Sequence, residues 1–380
     1  MKNEDFSPDK WLPEIRRDLQ LIPVQDNGRK LIYFHDVMGY TPPDFALDAA
    51  VEPFLSLFTG RYTIRDLTTH PGSGLKERDL IQFAELLDEA SILESNRHKK
   101  RSRQVEHLFE KKHVRESSLA GLSYPDRQKN LKSFLKKILS GRRNGIRPPK
   151  QALYAPHIDI RVGEDQYGEA FSLLTNLKPD KVLILGTSHY AGYHGTLYDE
   201  TPFIGSVKEY QLPGRTFKSD HKLLKKLLTG APENGFTLSD RAHRVEHSIE
   251  THLLFASAVW DHPFEIIPIL VGSLDEILYH KSGDLADKTD RFTSQLRDLI
   301  ADENTFTLIS GDLSHVGRKF GDPSPASDMK SDISIRDHEF IKCAKDGSPE
   351  SLLELLSQDA DSSRICGFPP LFTYLKMFPK

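Results

Sequence analysis

Val182–Leu185 is an unbroken apolar run, the pattern of a strand buried on both faces of a parallel sheet. Leu153–Ala155, Glu265–Leu270 and Thr305–Ile309 are runs of the same kind. Between and around them, apolar residues recur at helical spacing over Tyr167–Leu177, Lys222–Leu228, Ser248–Val259 and Arg291–Ala301. A further amphipathic helix precedes them, with Leu131, Phe134, Leu135 and Ile138 inward, followed by a loop over Gly141–Pro149. Strands alternating with helices predict an α/β domain. The first hundred residues read differently. Two β-rich runs over 20–38 flank Asp26-Asn27-Gly28, a hairpin turn signal. Helical spacing follows over Ala46–Phe58 and Glu77–Ile92, and Thr63 can cap a short helix between them.

Polar residues sit where the buried runs stop. His157 follows Leu153–Ala155, His189 follows Val182–Leu185, and Asp312 and His315 follow Thr305–Ile309. Ligands of open α/β sheets gather outside the carboxyl ends of the strands, so these side chains share one kind of place. Cys366 joins them as a candidate. Histidine is both the commonest metal ligand and the usual general base, and an ionised cysteine favours softer metals. In VEHSIETHLLF, Glu246 and Glu250 stand four apart and His247 three from Glu250, so they can share a helix face. His247 and Glu250, with Ser188 beside His189, are expected to line the pocket. The spacing H-S-I-E-T-H is not the zinc-protease H-E-x-x-H. No phosphate-binding glycine loop and no G-x-S-x-G elbow occurs, which removes nucleotide cofactors and serine hydrolysis.

The chain has 380 residues, 38% hydrophobic and 28% charged, enough for two domains. No apolar run approaches a membrane span and the first residues lack a signal peptide's apolar core. Two cysteines, Cys343 and Cys366, make no disulfide framework, so the expected location is cytoplasmic. The net charge of −4 is uneven: residues 1–97 carry 11 basic and 17 acidic side chains, residues 98–150 carry 16 and 4. No aromatic interleaving or recognition motif accompanies the basic stretch, so nucleic acid is not the expected partner. Three parts follow: a small α+β domain over 1–97, a basic helical linker over 98–118, and an α/β domain over 119–380.

APHID, GTSHY, VEHSIETHLLF, EIIPILVG, SGDLSH and ICGFPPL occur in order over about residues 115–375. In order and spacing they resemble the Memo-like family, whose bacterial members are often called AmmeMemoRadiSam system protein B. The resemblance implies a sheet-and-helix sandwich similar to class III extradiol dioxygenases, with a non-heme metal at the sheet's end. It implies His157, His189 and Cys366 as ligands of iron(II) or copper, and His315 beside Asp312 as the catalytic pair. Cysteine in place of the carboxylate of a 2-His-1-carboxylate triad departs from the dioxygenase pattern. It also implies radical-SAM and AMMECR-type protein partners. Two functions are expected: a metal-dependent, dioxygenase-like oxidoreductase, or a non-catalytic peptide- or protein-binding component acting with a radical-SAM partner. LFTGRYTIRDL…LIQFAELLDEASILES in the first domain resembles PqqD-like winged-helix domains, which bind precursor peptides. The resemblance implies a further strand near the family's C-terminal end, which this sequence is expected to lack. An exposed sheet edge, and a homo-oligomer formed through it, is the corresponding expectation.

Overall fold

The structure is a computed structural model, and it describes residues 6–70, 72–140, 148–301 and 304–379. The chain divides into two compact units, at Lys111/Lys112. Of the loop expected over Gly141–Pro149, only Pro148 and Pro149 lie among the described residues.

In the first unit, strands β1 (Gln20–Asp26) and β2 (Arg29–His35) form the expected hairpin. Asn27 and Gly28 both have positive φ, as a two-residue turn of this kind requires. Ala46–Phe58 is not a helix. Its first residues form β3 (Ala46–Asp48), paired with Leu31–Tyr33, and α1 (Glu52–Leu55) begins only at the Glu52-Pro53 step. The Asp48 carboxylate accepts from the Ala50 amide and turns the chain between them. Thr63 caps α2 (Ile64–Thr69) in a reciprocal capping box with Asp66. Helix α3 (Glu77–Glu89) buries Leu80, Ala84 and Leu87, whereas Leu86 is exposed.

The boundary between the two units, at Lys111/Lys112, falls inside the stretch 98–118. Helix α4 (Asn96–Glu110) buries His98, Glu106 and Phe109 in the first unit. Strand β4 (Val114–Glu116) belongs to the second unit, where Arg115 is buried. It runs parallel to β8 (Glu209–Leu212), which pairs with β9 (Arg215–Phe217) in a small three-stranded sheet.

The second unit is built on a six-stranded sheet of β5 (Ala152–Ala155), β6 (Lys181–Thr187), β7 (Phe203–Gly205), β10 (Phe236–Thr237), β11 (Glu265–Val271) and β12 (Thr305–Ser310). Their order is β10-β7-β11-β6-β12-β5. Strands β11, β6, β12 and β5 are parallel, while β7 runs antiparallel to β11. Alternation along β6 explains its unbroken apolar run: Val182 and Ile184 enter one core, Leu183 and Leu185 the other. The first core takes α5 (Gln128–Leu139), α6 (Ile160–Ser172) and α8 (Ser248–Val259). The second takes α7 (His221–Leu228), α10 (Asp284–Ile300), α12 (Pro349–Ser357) and α13 (Phe368–Met377). Between these lie the short α9 (Glu276–Tyr279) and α11 (Lys330–Asp346), which adds Phe340 to the second core. The result is a mixed α/β fold with helices on both faces of the sheet.

Two helices begin earlier than their apolar spacing predicts. Asp159 accepts from the Arg161 amide and starts α6 at Ile160, not Tyr167. The inward stripe of α10 includes Lys288 and Thr289, and these polar residues hide its first half from a hydrophobic reading. No helix among the described residues is long and apolar enough to cross a membrane.

Candidate metal centre

His157 follows β5, His189 follows β6, and Asp312 and His315 follow β12, so three parallel strands deliver their polar residues to one edge of the sheet. Cys366 precedes α13, and Glu246-His247 precedes α8. These two helix starts close the site from either face.

His157 is buried, and its backbone N–H donates to Asp312 Oδ1 over 2.8 Å. Its Nδ1 lies 3.1 Å from Ser310 Oγ. That hydroxyl donates to the Ser248 carbonyl, so it accepts from Nδ1–H of the neutral ring and leaves Nε2 unprotonated. Burial, with His189 and His247 nearby, holds His157 well below the ordinary histidine range. Nε2 faces Cys366 Sγ at 3.4 Å. The sulfur is also 3.4 Å from the Asp312 amide.

Asp312 bridges two histidines. Its Oδ2 stands 3.8 Å from His157 Nε2 and 3.9 Å from His315 Nε2. His315 is turned by its other nitrogen, since Nδ1 is 3.1 Å from the Arg364 carbonyl and must donate to it. Its backbone N–H donates to Ser363, and the Arg364 guanidinium returns a bond to the His315 carbonyl.

Glu246 organises the other side. Its Oε1 is 3.0 Å from His189 Nδ1 and 3.2 Å from His247 Nδ1, and its Oε2 accepts from the His189 amide at 2.7 Å. The His189 and His247 rings stack at 4.9 Å, 20° apart. Burial alone would lower His189, but the Glu246 charge outweighs it, with Cys366 adding, and raises the ring to about 10. Burial pushes Glu246 up, and His189 and His247 together drive it well below the usual carboxylate range.

Donor atoms of His157, His189 and His247 lie within 4.8 Å of one another, and so do those of His157, Asp312 and Cys366. The expected ligands therefore fall into two overlapping sets that share His157. Of the residues expected to line the pocket, His247 stands inside the cluster. Ser188 adjoins it through the chain, with its Oγ buried and unpartnered. Glu250 is withdrawn: its carboxylate is taken by Arg115, by the Ser118 and Leu119 amides at 2.8 and 3.0 Å, and by the Tyr124 hydroxyl at 2.5 Å. A cavity of about 350 Å³ lies farther along the same sheet edge, lined by Ala191, Gly192, Tyr198, Ser273 and Lys288. None of the cluster's donors lines it. Sequence reasoning placed Glu246 on a helix face with Glu250 and missed its hold on His189. The signal was faint, an acidic residue just before a histidine at a helix start.

Fold and site define an α/β protein with an imidazole–thiol cluster at the carboxyl edge of its sheet. The chain belongs to the Memo-like protein family, whose match spans residues 115–380. It is 28% identical over 365 residues to a MEMO1 family protein of Aquifex aeolicus, covering 94% of this chain and 90% of that one. That similarity therefore reaches into the first unit. A MEMO1 family protein of Thermus thermophilus is 26% identical, covering 77% of this chain and 81% of its own. Protein MEMO1 of Mus musculus is 29% identical, covering 54% and 64%.

Proposed function

We propose that the chain is a metal-dependent redox protein in which His157, His189 and Cys366 hold one iron(II) or copper ion. The observation that carries this reading is the 3.4 Å approach of the Cys366 sulfur to the unprotonated Nε2 of a buried, neutral His157. A neutral imidazole beside a thiol, with a second imidazole oriented by a carboxylate, is a donor set for a borderline or soft metal. The bound ion would supply electron transfer to or from a substrate beside it.

The rest falls to the chain. Ser310 and Glu246 hold the Nδ1 atoms of His157 and His189, so both rings turn Nε2 to the site, His157 as the neutral ring and His189 once the proton that Glu246 favours gives way to the ion. His315, with Nδ1–H given to the Arg364 carbonyl, keeps Nε2 as the atom that takes a proton from substrate. Asp312, 3.9 Å away, stabilises the imidazolium that results.

Metal content by mass spectrometry tests the reading, on protein purified without air or affinity-column metal, beside His189→Ala. About one iron or copper per chain, absent from the variant, is the expected result. No metal in either after anaerobic reconstitution with iron(II) or copper(I) would sink it.

A further inference from the structure

We infer that His247 is a further ligand of the same ion and that Glu246 is the positioning residue that aims both His247 and His189 at it. The inference rests on the metal reading above.

His247 Nδ1 lies against Glu246 Oε1, so Nε2 is left, and no bond to it occurs among the described residues. The ring is stacked on His189 and stands edge-on to His157, with centroids 5.1 Å apart. One donor atom from each of the three rings falls within a common 4.8 Å. Capping of α8 does not account for this arrangement. The Glu246 carboxylate does accept from the His247 and Ser248 amides, at 2.9 and 3.1 Å. That role needs neither the His189 ring nor the His247 ring, yet both meet the same oxygen.

Two stacked imidazoles sharing one buried carboxylate make sense when their far nitrogens share a cation. A carboxylate behind a ligating histidine fixes ring orientation and makes the ring a better donor, and here one carboxylate serves two rings. With Cys366 the set becomes three nitrogens and one sulfur. The thiolate supplies the negative charge that a carboxylate ligand would otherwise bring. Such a set suits copper, iron or zinc over magnesium or calcium.

The test compares the full chain with His247→Ala, His247→Gln and Glu246→Gln, each checked for an unchanged urea midpoint. Copper(I) affinity is measured by anaerobic competition with a chromophoric chelator, and the donors are counted by X-ray absorption. The wild type is expected to show three nitrogens and one sulfur. Either His247 variant should lose one nitrogen, and each of the three variants should bind about 10–100-fold more weakly. Wild-type affinity and donor count in both His247 variants, while His189→Ala loses the metal, would overturn this inference and leave the metal reading standing. A wild-type chain that takes up no metal overturns both.

Discussion

Gly311 and Gly367 lie backbone against backbone: a Cβ on Gly311 would fall 2.2 Å from the Cα of Gly367. The approach continues as a hydrogen bond of 3.0 Å from the Gly367 amide to the Asp312 carbonyl. This contact sets Cys366 beside Asp312, and so beside His157. Only glycine permits it, because the obstacle is main chain and cannot rotate away.

Gly311→Ala must part the two segments. A stability loss of about 1–3 kcal/mol is expected from overpacking, with a matching loss of metal affinity as Cys366 moves off. Urea unfolding and metal competition check it. Gly192→Ala is the control, since nothing lies within 4 Å of the added methyl. It should change stability by less than ~0.5 kcal/mol.

Ser310→Ala removes the acceptor for His157 Nδ1–H. The buried N–H is then unpaired, or the ring changes tautomer and withdraws its lone pair from Nε2. A destabilisation of ~1–3 kcal/mol and a metal affinity lower by about 10–100-fold are expected. An unchanged affinity would show that the hydroxyl does not set the ring.

Arg115 is buried and clamps the approach to α8. Its guanidinium meets the Glu250 carboxylate, the Glu246 carbonyl at 2.5 Å and the His243 carbonyl at 3.1 Å. Arg115→Met strands the Glu250 charge, at a cost of roughly 3–5 kcal/mol. The double variant with Glu250→Gln should recover part of that loss. Chemical denaturation of the single and double variants measures both.

Stability should fall as the solution is acidified below about pH 6.5. Burial holds His243 and His252 down at about 4, so the folded chain refuses two protons that the unfolded chain accepts near 6.5. Their contribution is complete above the unfolded value and is lost as pH falls towards 4. Within that window the pair contributes a slope approaching 2.7 kcal/mol per pH unit, on the order of two protons. Unfolding midpoints between pH 7 and 4.5 test this, and His252→Gln should make the dependence shallower.

Much of the centre was legible because it hangs on local pattern. Val182–Leu185 is apolar on successive residues because alternate side chains enter two cores, and His189 follows where such a strand must end. The same logic placed His157, Asp312 and His315. What stayed hidden depends on distant partners or on where a helix begins. Because α8 starts at Ser248, Glu246 lies before it and turns to His189, while Glu250 points to Arg115, 135 residues away in sequence. Arg115 itself looked like one more charge in a basic stretch. Strands β7, β8 and β9, of three or four residues each, are too short for alternation to reveal.

Whether Cys366 and the strand-end histidines bind one ion can be read by optical titration with cobalt(II) under anaerobic conditions. A thiolate ligand gives an intense sulfur-to-cobalt band in the near ultraviolet. The band is expected to saturate at about one equivalent, to disappear in Cys366→Ser and His189→Ala, and to persist in Cys343→Ser. A band carried by Cys343, or none at all, would contradict a shared ion at Cys366.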